Sequence, residues 1–270
     1  MFLARPLAAA AAALILSVPL AAQTLVVQPA KAEKTTETRT VPLASGSALK
    51  VKNVNGFIRV EAWDREEVQF TGEFKPSSRD EQVKVVIEAG KGSLEIRGEY
   101  PKRQDGAMYR GPQCQMTLKV PRRVVPTLES VNGEVTLTGT RGAANLATVN
   151  GGIRATSLED HLKATTVNGG ITLEGVHGGL DLQTVNGGIK GSGLDGQGQG
   201  VKAETVNGGI HLQIAGLKGR LKATTLNGGI SFNAKGAEQV EVNKRRVTAV
   251  FPGGDQGIVL NTVNGGITLD

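Results

Sequence analysis

The sequence predicts an all-β protein, specifically a parallel β-solenoid with coils of about 18 residues. Two observations support this: one short motif recurs, and its spacing is nearly constant. The motif T-V-N-G-G-I occupies positions 148–153, 166–171, 184–189, 205–210 and 262–267, and T-L-N-G-G-I occupies 225–230. From Asn132 to Asn264 the motif asparagines lie 18, 18, 18, 21, 20 and 37 residues apart. Fixed periods of this length are typical of proteins built from stacked repeats.

Each period is expected to hold two short strands joined at a corner. Asparagine and glycine tolerate positive φ well, which suits a corner, and β-branched residues suit the flanking strands. Ile-Thr-Leu follows the corner at 171–173, and Leu-Asp-Leu precedes the next one at 180–182. Both segments alternate apolar and polar residues, as half-buried strands do.

Stacked coils would place identical residues about 4.8 Å apart, so the asparagine amides should form a hydrogen-bonded ladder. The expected ladder residues are Asn132, Asn150, Asn168, Asn186, Asn207, Asn227 and Asn264. The threonine before each valine would form a second column. A meander of hairpins or a propeller is the alternative, because Asn-Gly also closes two-residue hairpins. Hairpins give no reason for one polar residue to recur at alternate turns.

The 37-residue gap before Asn264 is about two periods long, and V-N-K-R-R-V at 242–247 is interpreted as a degenerate coil. This gives eight coils in a rod of about 40 Å. The N-terminal half is expected to cap one end of the rod. The other end should lie near Asp270, where an open sheet edge would permit self-association through the solenoid ends.

The first 22 residues read as a signal peptide. Arg5 precedes an apolar run at 7–20, and Ala21-Ala22 supplies small residues for cleavage after Ala22. Ala-Lys-Ala at 30–32 is a second candidate cleavage site. An N-terminal membrane anchor is the alternative, although the run is shorter than a membrane span. We therefore expect an exported protein, periplasmic or at the cell surface, with no transmembrane segment after cleavage.

Three regions are expected in the mature chain: a linker at 23–45, an N-terminal β region at 46–128 and the solenoid repeats at 129–270. The β region contains an early motif copy, V-N-G-F-I-R-V at 54–60, and alternating strand patterns follow it as far as residue 120. It is therefore expected to continue into the solenoid.

The positive charge of the mature chain lies in its N-terminal half. Residues 23–128 carry a net charge of +5, whereas residues 129–270 carry none. The basic residues are densest at Arg97, Lys102, Arg103, Arg110, Lys119, Arg122 and Arg123. They could bind an anionic envelope polymer, a lipid headgroup or a protein partner, or simply form a solvated face. Nucleic acid is not expected, because only 3% of residues are aromatic and able to stack on bases.

We expect no catalytic residues, no cofactor and no metal. The three histidines, His161, His177 and His211, lie 11, 9 and 4 residues after their asparagines, so they do not share a column. Polysaccharide-cleaving solenoids need clustered carboxylates, and the acids of the coils are scattered. Cys114 is the single cysteine, which excludes an internal disulfide.

The expected function is a non-enzymatic binding module. A structural spacer or self-stacking protein is the alternative, and a carbohydrate-active enzyme is a distant third.

Three motifs together resemble the bacterial putative-adhesin family of unknown function. These are V-N-G-F-I-R-V at 54–60, W-D-R at 63–65, and P-R-R at 121–123 leading into the V-N-G coils. The resemblance covers roughly residues 47–269. It implies an exported protein with a β-coil fold, and it transfers no catalytic or binding residues.

Overall fold

The fold was obtained as a computed structural model, which describes residues 23–29, 33–77, 81–101, 111–195, 199–233 and 235–270. The predicted signal peptide and the second cleavage site at 30–32 lie outside these residues. The described part of the chain is all-β, with two large sheets and no helix. It accordingly offers no helical segment that could cross a bilayer.

Sheet A contains 13 of the described strands. In spatial order they are β1 (Gln23–Val27), β6 (Lys84–Gly90), β7 (Ser93–Glu99), β3 (Ala48–Asn55), β9 (Val125–Asn132), β11 (Ala144–Asn150), β13 (Leu162–Asn168), β15 (Leu180–Asn186), β17 (Val201–Asn207), β23 (Gly257–Asn264), β19 (Gly219–Asn227), β22 (Arg246–Phe251) and β21 (Glu238–Asn243).

Sheet B contains 11 of the described strands. In spatial order they are β2 (Thr35–Pro42), β5 (Glu67–Lys75), β8 (Gln113–Pro121), β4 (Ile58–Trp63), β10 (Val135–Thr138), β12 (Ile153–Thr156), β14 (Ile171–Glu174), β16 (Ile189–Asp195), β18 (Ile210–Ala215), β24 (Ile267–Leu269) and β20 (Ile230–Phe232).

Each coil contributes one strand to each sheet, and neighbouring coils pair in parallel with equivalent residues opposite one another. Ile153 pairs with Ile171, and Ile171 pairs with Ile189. The prediction of a parallel β-solenoid is therefore confirmed, and the meander and propeller alternatives are wrong. Eight such coils occur among the described residues, the first being β3 with β4.

The core lies between the two sheets and consists mainly of aliphatic side chains. In one coil, Leu162 and Ala164 of β13 face Ile171 and Leu173 of β14, and all four are at most 1% exposed. Every coil repeats this alternation, so one continuous cluster runs the length of the stack. A thin core of this kind is built by stacking coils and needs few aromatic residues.

The motif asparagines form a side-chain ladder along one edge of the stack. Seven hydrogen bonds of 2.8–2.9 Å join eight asparagines, each Nδ2 donating to the Oδ1 of the preceding rung. The order is Asn55, Asn132, Asn150, Asn168, Asn186, Asn207, Asn264 and Asn227. Asn55 is a rung that the sequence reasoning omitted. The neighbouring threonines are buried and donate to corner carbonyls, as Thr148 does to Gly133 at 2.9 Å.

In every corner after the first, whose Gly56 has a φ of 127°, the first glycine is required by space rather than by φ. None of the ladder asparagines, nor Gly151 or its equivalents in the later coils, has a positive φ, so the expected conformational reason is wrong. Instead, a Cβ on Gly151 would lie 2.2 Å from the carbonyl oxygen of Gly133 in the preceding coil. The second corner position has room for larger side chains, since Phe57 and Glu134 occupy it in the first two coils.

The N-terminal end of the stack is closed by antiparallel strands. β6 and β1 continue sheet A beyond β7, while β5 and β2 continue sheet B beyond β8. The expectation of a linker at 23–45 is wrong, because β1 and β2 are both paired strands. Residues 36–40 alternate threonine with charged residues, and the strand that contains them buries little surface. They still form a strand because threonine is β-branched and β5 offers a free edge.

The C-terminal end differs from the sequence-based expectation in two ways. Residues 242–247 are no coil, because β21 and β22 pair antiparallel as a hairpin. Asp270 does not mark the end of the stack either. The last coil, β23 with β24, lies between β17 with β18 and β19 with β20. The hairpin covers this end of sheet A, with Phe251 packing edge-on against Phe232 at 6.3 Å.

Candidate anion-binding cleft

Three turns lie close together where three neighbouring strands of sheet B end, near the N-terminal end of the stack. β4 and β8 are parallel and end together, with Trp63 opposite Pro121. The next strand in that direction, β10, is parallel to β4 and leads into the turn that carries Arg141. Because the three strands are parallel neighbours, their C-terminal ends lie side by side, and the residues that follow them are brought together.

These turns surround a shallow depression of about 250 Å³, which we call the arginine cleft. Its lining includes four arginines, two acids and one aromatic ring. The charged and aromatic residues are Trp63, Asp64, Arg65, Glu66, Arg122, Arg123 and Arg141. The lining therefore has a net positive charge, and its arginines are exposed to solvent.

Trp63 is the aromatic residue of the arginine cleft, and a hydrogen bond fixes its ring. Its indole Nε1 donates to the carbonyl oxygen of Glu67 at 2.8 Å, which sets the plane of the half-buried ring. The Cζ of Arg65 lies 5.0 Å from the ring centroid, and the Nζ of Lys119 lies 6.0 Å from a ring centroid of the same indole. Both distances suit cation–π contacts, which orient the two cations around the ring.

Ion pairs hold three of the four cleft arginines, and in one of them Arg65 Nη1 lies 3.4 Å from Glu67 Oε1. The Nε and Nη2 of Arg122 donate to the two carboxylate oxygens of Asp64 at 2.5 and 3.1 Å. This bidentate contact holds the pKa of the Asp64 carboxyl below its ordinary value, so it stays ionised at neutral pH. Arg141 contacts Glu159 at 3.2 Å. Arg123 has no ion-pair partner within the described ranges, so its guanidinium is available to a ligand.

The structure divides the basic patch predicted from the sequence. Lys119, Arg122 and Arg123 do lie together. Arg97 lies on β7 of the other sheet and is paired with Glu88 at 2.8 Å and Glu99 at 3.4 Å, so its inclusion in one patch is wrong. The two sheets present their outer faces in opposite directions, which net charge along the sequence cannot reveal. Lys102, Arg103 and Arg110 lie outside the described residues.

The basic patch predicted from the sequence does not include Trp63, Arg65 or Arg141 of the arginine cleft. In the sequence, Trp63 and Arg65 belong to the W-D-R motif, and Arg141 lies between two coils. The available signal was the aromatic residue between basic residues directly after a strand. Arg141 carried no local signal, because its place depends on how β10 stacks beside β4.

Two of the three histidines each lie near one carboxylate. His177 Nδ1 lies 3.9 Å from Asp195, and His211 Nε2 lies 3.9 Å from Asp270. Within the described ranges, no three potential metal ligands converge. Cys114 is free and buried against the first coil, and burial raises the pKa of its thiol to about 12.

The fold and the cleft together define a two-sheet parallel β-solenoid with a cationic corner. The chain belongs to the Toastrack DUF4097 family, whose model matches residues 47–270. No curated protein matches the sequence.

Several solved structures are similar to the chain. A putative adhesin from Bacteroides fragilis is 14% identical, with a TM-score of 0.49, over 88% of this chain and 98% of that one. A putative cell adhesion protein from Clostridium sporogenes is 10% identical, with a TM-score of 0.45, over 88% and 99%. A putative adhesin from Parabacteroides distasonis is 13% identical, with a TM-score of 0.40, over 89% and 99%.

Proposed function

We propose that this chain is an exported, non-enzymatic binding module of the bacterial cell envelope. In this proposal the arginine cleft binds a carboxylate or phosphate group carried by an envelope glycan or lipid. The observation that carries the proposal is the convergence of four arginines on one depression around Trp63. Export rests on the signal-peptide pattern of residues 1–22.

The groups in the arginine cleft suit binding better than catalysis. Guanidinium groups remain protonated in proteins, so they neither accept nor release protons at neutral pH. Asp64 is held ionised by Arg122 and is therefore a poor general acid. Guanidinium donors match the two oxygens of a carboxylate or phosphate. The chemistry thus favours a ligand bearing carboxylate or phosphate groups.

Arg123 is the residue on which the proposal is tested. Its removal breaks no ion pair among the described residues, so the fold should tolerate Arg123→Glu. The control is Arg220→Glu, which makes the same charge change on an exposed arginine of β19. Arg220 lies in the coil at the opposite end of the stack, away from the cleft. Comparing the two variants separates a local contact from a loss of total charge.

The probes are polygalacturonate, a carboxylated glycan, and vesicles of phosphatidylglycerol, an anionic lipid. A charge-assisted hydrogen bond contributes about 1.5–3 kcal/mol, so Arg123→Glu should weaken binding about 10- to 100-fold. Arg220→Glu should change it less than about two-fold. The probe that binds identifies glycan or lipid as the source of the anion. Equal weakening by both variants, or no binding of either probe by the parent protein, would contradict the proposal and favour a structural spacer.

A further inference from the structure

The last coil is stacked out of sequence order. β19 follows β17 in the sequence of motif strands, yet β23 lies between them in sheet A, and β24 likewise separates β18 from β20. Asn207 and Asn227 are 20 residues apart, while Asn186 and Asn207, which lie in adjacent coils, are 21 apart. The connection that skips one coil position is therefore no longer than one that joins neighbours. The chain leaves a slot open, and residues 257–269 fill it.

Both walls of this slot offer the same backbone pattern. On one side, Gly208 N donates to Asn264 O at 3.1 Å and Ile210 N donates to Gly266 O at 2.9 Å. On the other side, the same positions of the inserted coil donate to Asn227 O and Gly229 O, each at 3.0 Å. The asparagine ladder also continues through the insert at 2.8 and 2.9 Å. The slot therefore recognises the repeat motif itself, and any copy of that coil would fit.

A short hinge joins the insert to the rest of the stack. Residues 252–256, P-G-G-D-Q, join β22 to β23 and pass around the start of β19. The crossing is tight, since a Cβ on Gly219 would lie 2.1 Å from the Gln256 carbonyl oxygen. The Gln256 side-chain oxygen is also buried without a hydrogen-bond partner in the described part of the chain.

Release of residues 257–269 from the slot into water is unfavourable, but their transfer to the slot of a second copy is not. Ile258, Leu260, Ile267 and Leu269 are at most 1% exposed in the slot. If β17 closed directly onto β19, these side chains would be left in water. In the slot of a second copy they recover identical contacts, which is the condition for domain swapping.

We propose that the slot between β17 and β19 is a docking site for residues 257–269 of a second copy of this chain. Two copies then pair by reciprocal exchange of their last coils. This inference is independent of the arginine cleft.

The first test shortens the hinge by deleting residues 253–255. The remaining chain from Phe251 to Gly257 spans at most ~11 Å. The direct distance between strands two positions apart is ~9.6 Å, which leaves no length for the detour around Gly219. The full chain with this deletion should elute as a dimer of twice the monomer mass by light scattering. A folded monomer, shown by its β-sheet circular dichroism, overturns the proposal.

The second test keeps the natural hinge and asks whose coil fills the slot. Lys202 and Val259 are paired Cα positions on adjacent strands, and the spacing of ~4.8 Å suits a disulfide. One copy carries Lys202→Cys and the other carries Val259→Cys. The two are unfolded, refolded together and oxidised, and non-reducing gels should show a covalent dimer.

The matched control mixes copies carrying Asn145→Cys and Lys163→Cys. These positions are also paired, but they lie in consecutive coils that stack in chain order, in the middle of the stack. They should give no covalent dimer. If the Lys202 and Val259 pair gives none either, or if the control pair cross-links equally, the exchange does not occur and the proposal fails.

Discussion

The corner glycines give the sharpest test of how the coils stack. A Cβ on Gly151 would lie 2.2 Å from the Gly133 carbonyl oxygen, whereas a Cβ on Gly152 has its nearest neighbour at 3.4 Å. The two glycines are adjacent in sequence and lie in the same corner. Gly151→Ala and Gly152→Ala therefore differ in the packing of one methyl group and in little else.

The expected cost of Gly151→Ala follows from that overlap. To reach normal contact the methyl and the carbonyl must separate by roughly 1 Å, and overpacking of this kind costs about 1–3 kcal/mol. The same carbonyl accepts the hydrogen bond from buried Thr148, whose loss adds about 1 kcal/mol. The total, about 2–4 kcal/mol, lowers the melting temperature by roughly 4–16 °C for a chain of this size.

Gly152→Ala should be neutral or stabilising by about 0.4–1 kcal/mol, because alanine restricts the unfolded chain without a clash. Thermal unfolding followed by far-ultraviolet circular dichroism measures both variants. Equal melting temperatures for the two variants would refute the argument that coil contact dictates the first glycine.

Three further results are expected. Asn168→Ala breaks two ladder hydrogen bonds and should lower the free energy of unfolding by about 1 kcal/mol. The control Asn145→Ala, at an exposed site outside the ladder, should lower it less. Equal losses in the two variants would argue against a stabilising ladder. The Asp64 carboxyl should titrate by NMR below the ordinary aspartate pKa of about 3.9. The ion pair between Asp64 and Arg122 should therefore be intact at neutral pH and break as the pH falls through the lowered pKa of Asp64. Arg122→Gln should raise the pKa of Asp64 to its ordinary value. Cys114 should resist alkylation at neutral pH until the protein unfolds, because burial raises its pKa to about 12; rapid labelling of the native protein would show that the thiol is open to solvent.

The sequence predicts the coil well because the residues that determine its corner and its strands are local to each repeat. Asn150 and Gly151 mark a corner, and the alternation of Ile153 with polar neighbours marks the strand that follows. Equivalent residues in the next period then have one favourable register, which buries the same apolar face. These local rules predict the two-sheet solenoid and the asparagine ladder without reference to any distant contact.

The order of the coils could not be predicted in the same way. Asn207, Asn227 and Asn264 carry nearly identical motifs, so each can stack on either of the others. The connections do not decide between them, since a 20-residue link reaches across one or two coil positions. The placement of β23 therefore depends on the hairpin of β21 and β22, and residues 242–247 resemble a coil too closely for the hairpin to be recognised.

The arginine cleft was predictable only in part. Lys119, Arg122 and Arg123 are close in sequence as well as in space. Arg65 and Arg141 join them through the pairing of β4 with β8 and β10. Arg97 is near in sequence but lies on the other sheet, so a count of charge along the chain placed it wrongly.

The most direct test of the central claim is co-sedimentation of the purified mature protein with isolated cell-envelope material at two salt concentrations. Between about 0.1 M and about 1 M salt the screening length falls from ~10 Å to ~3 Å. Binding through exposed arginines should therefore be strong at low salt and largely lost at high salt. Binding that is equal at both salt concentrations, or absent at both, would contradict an electrostatic binding module.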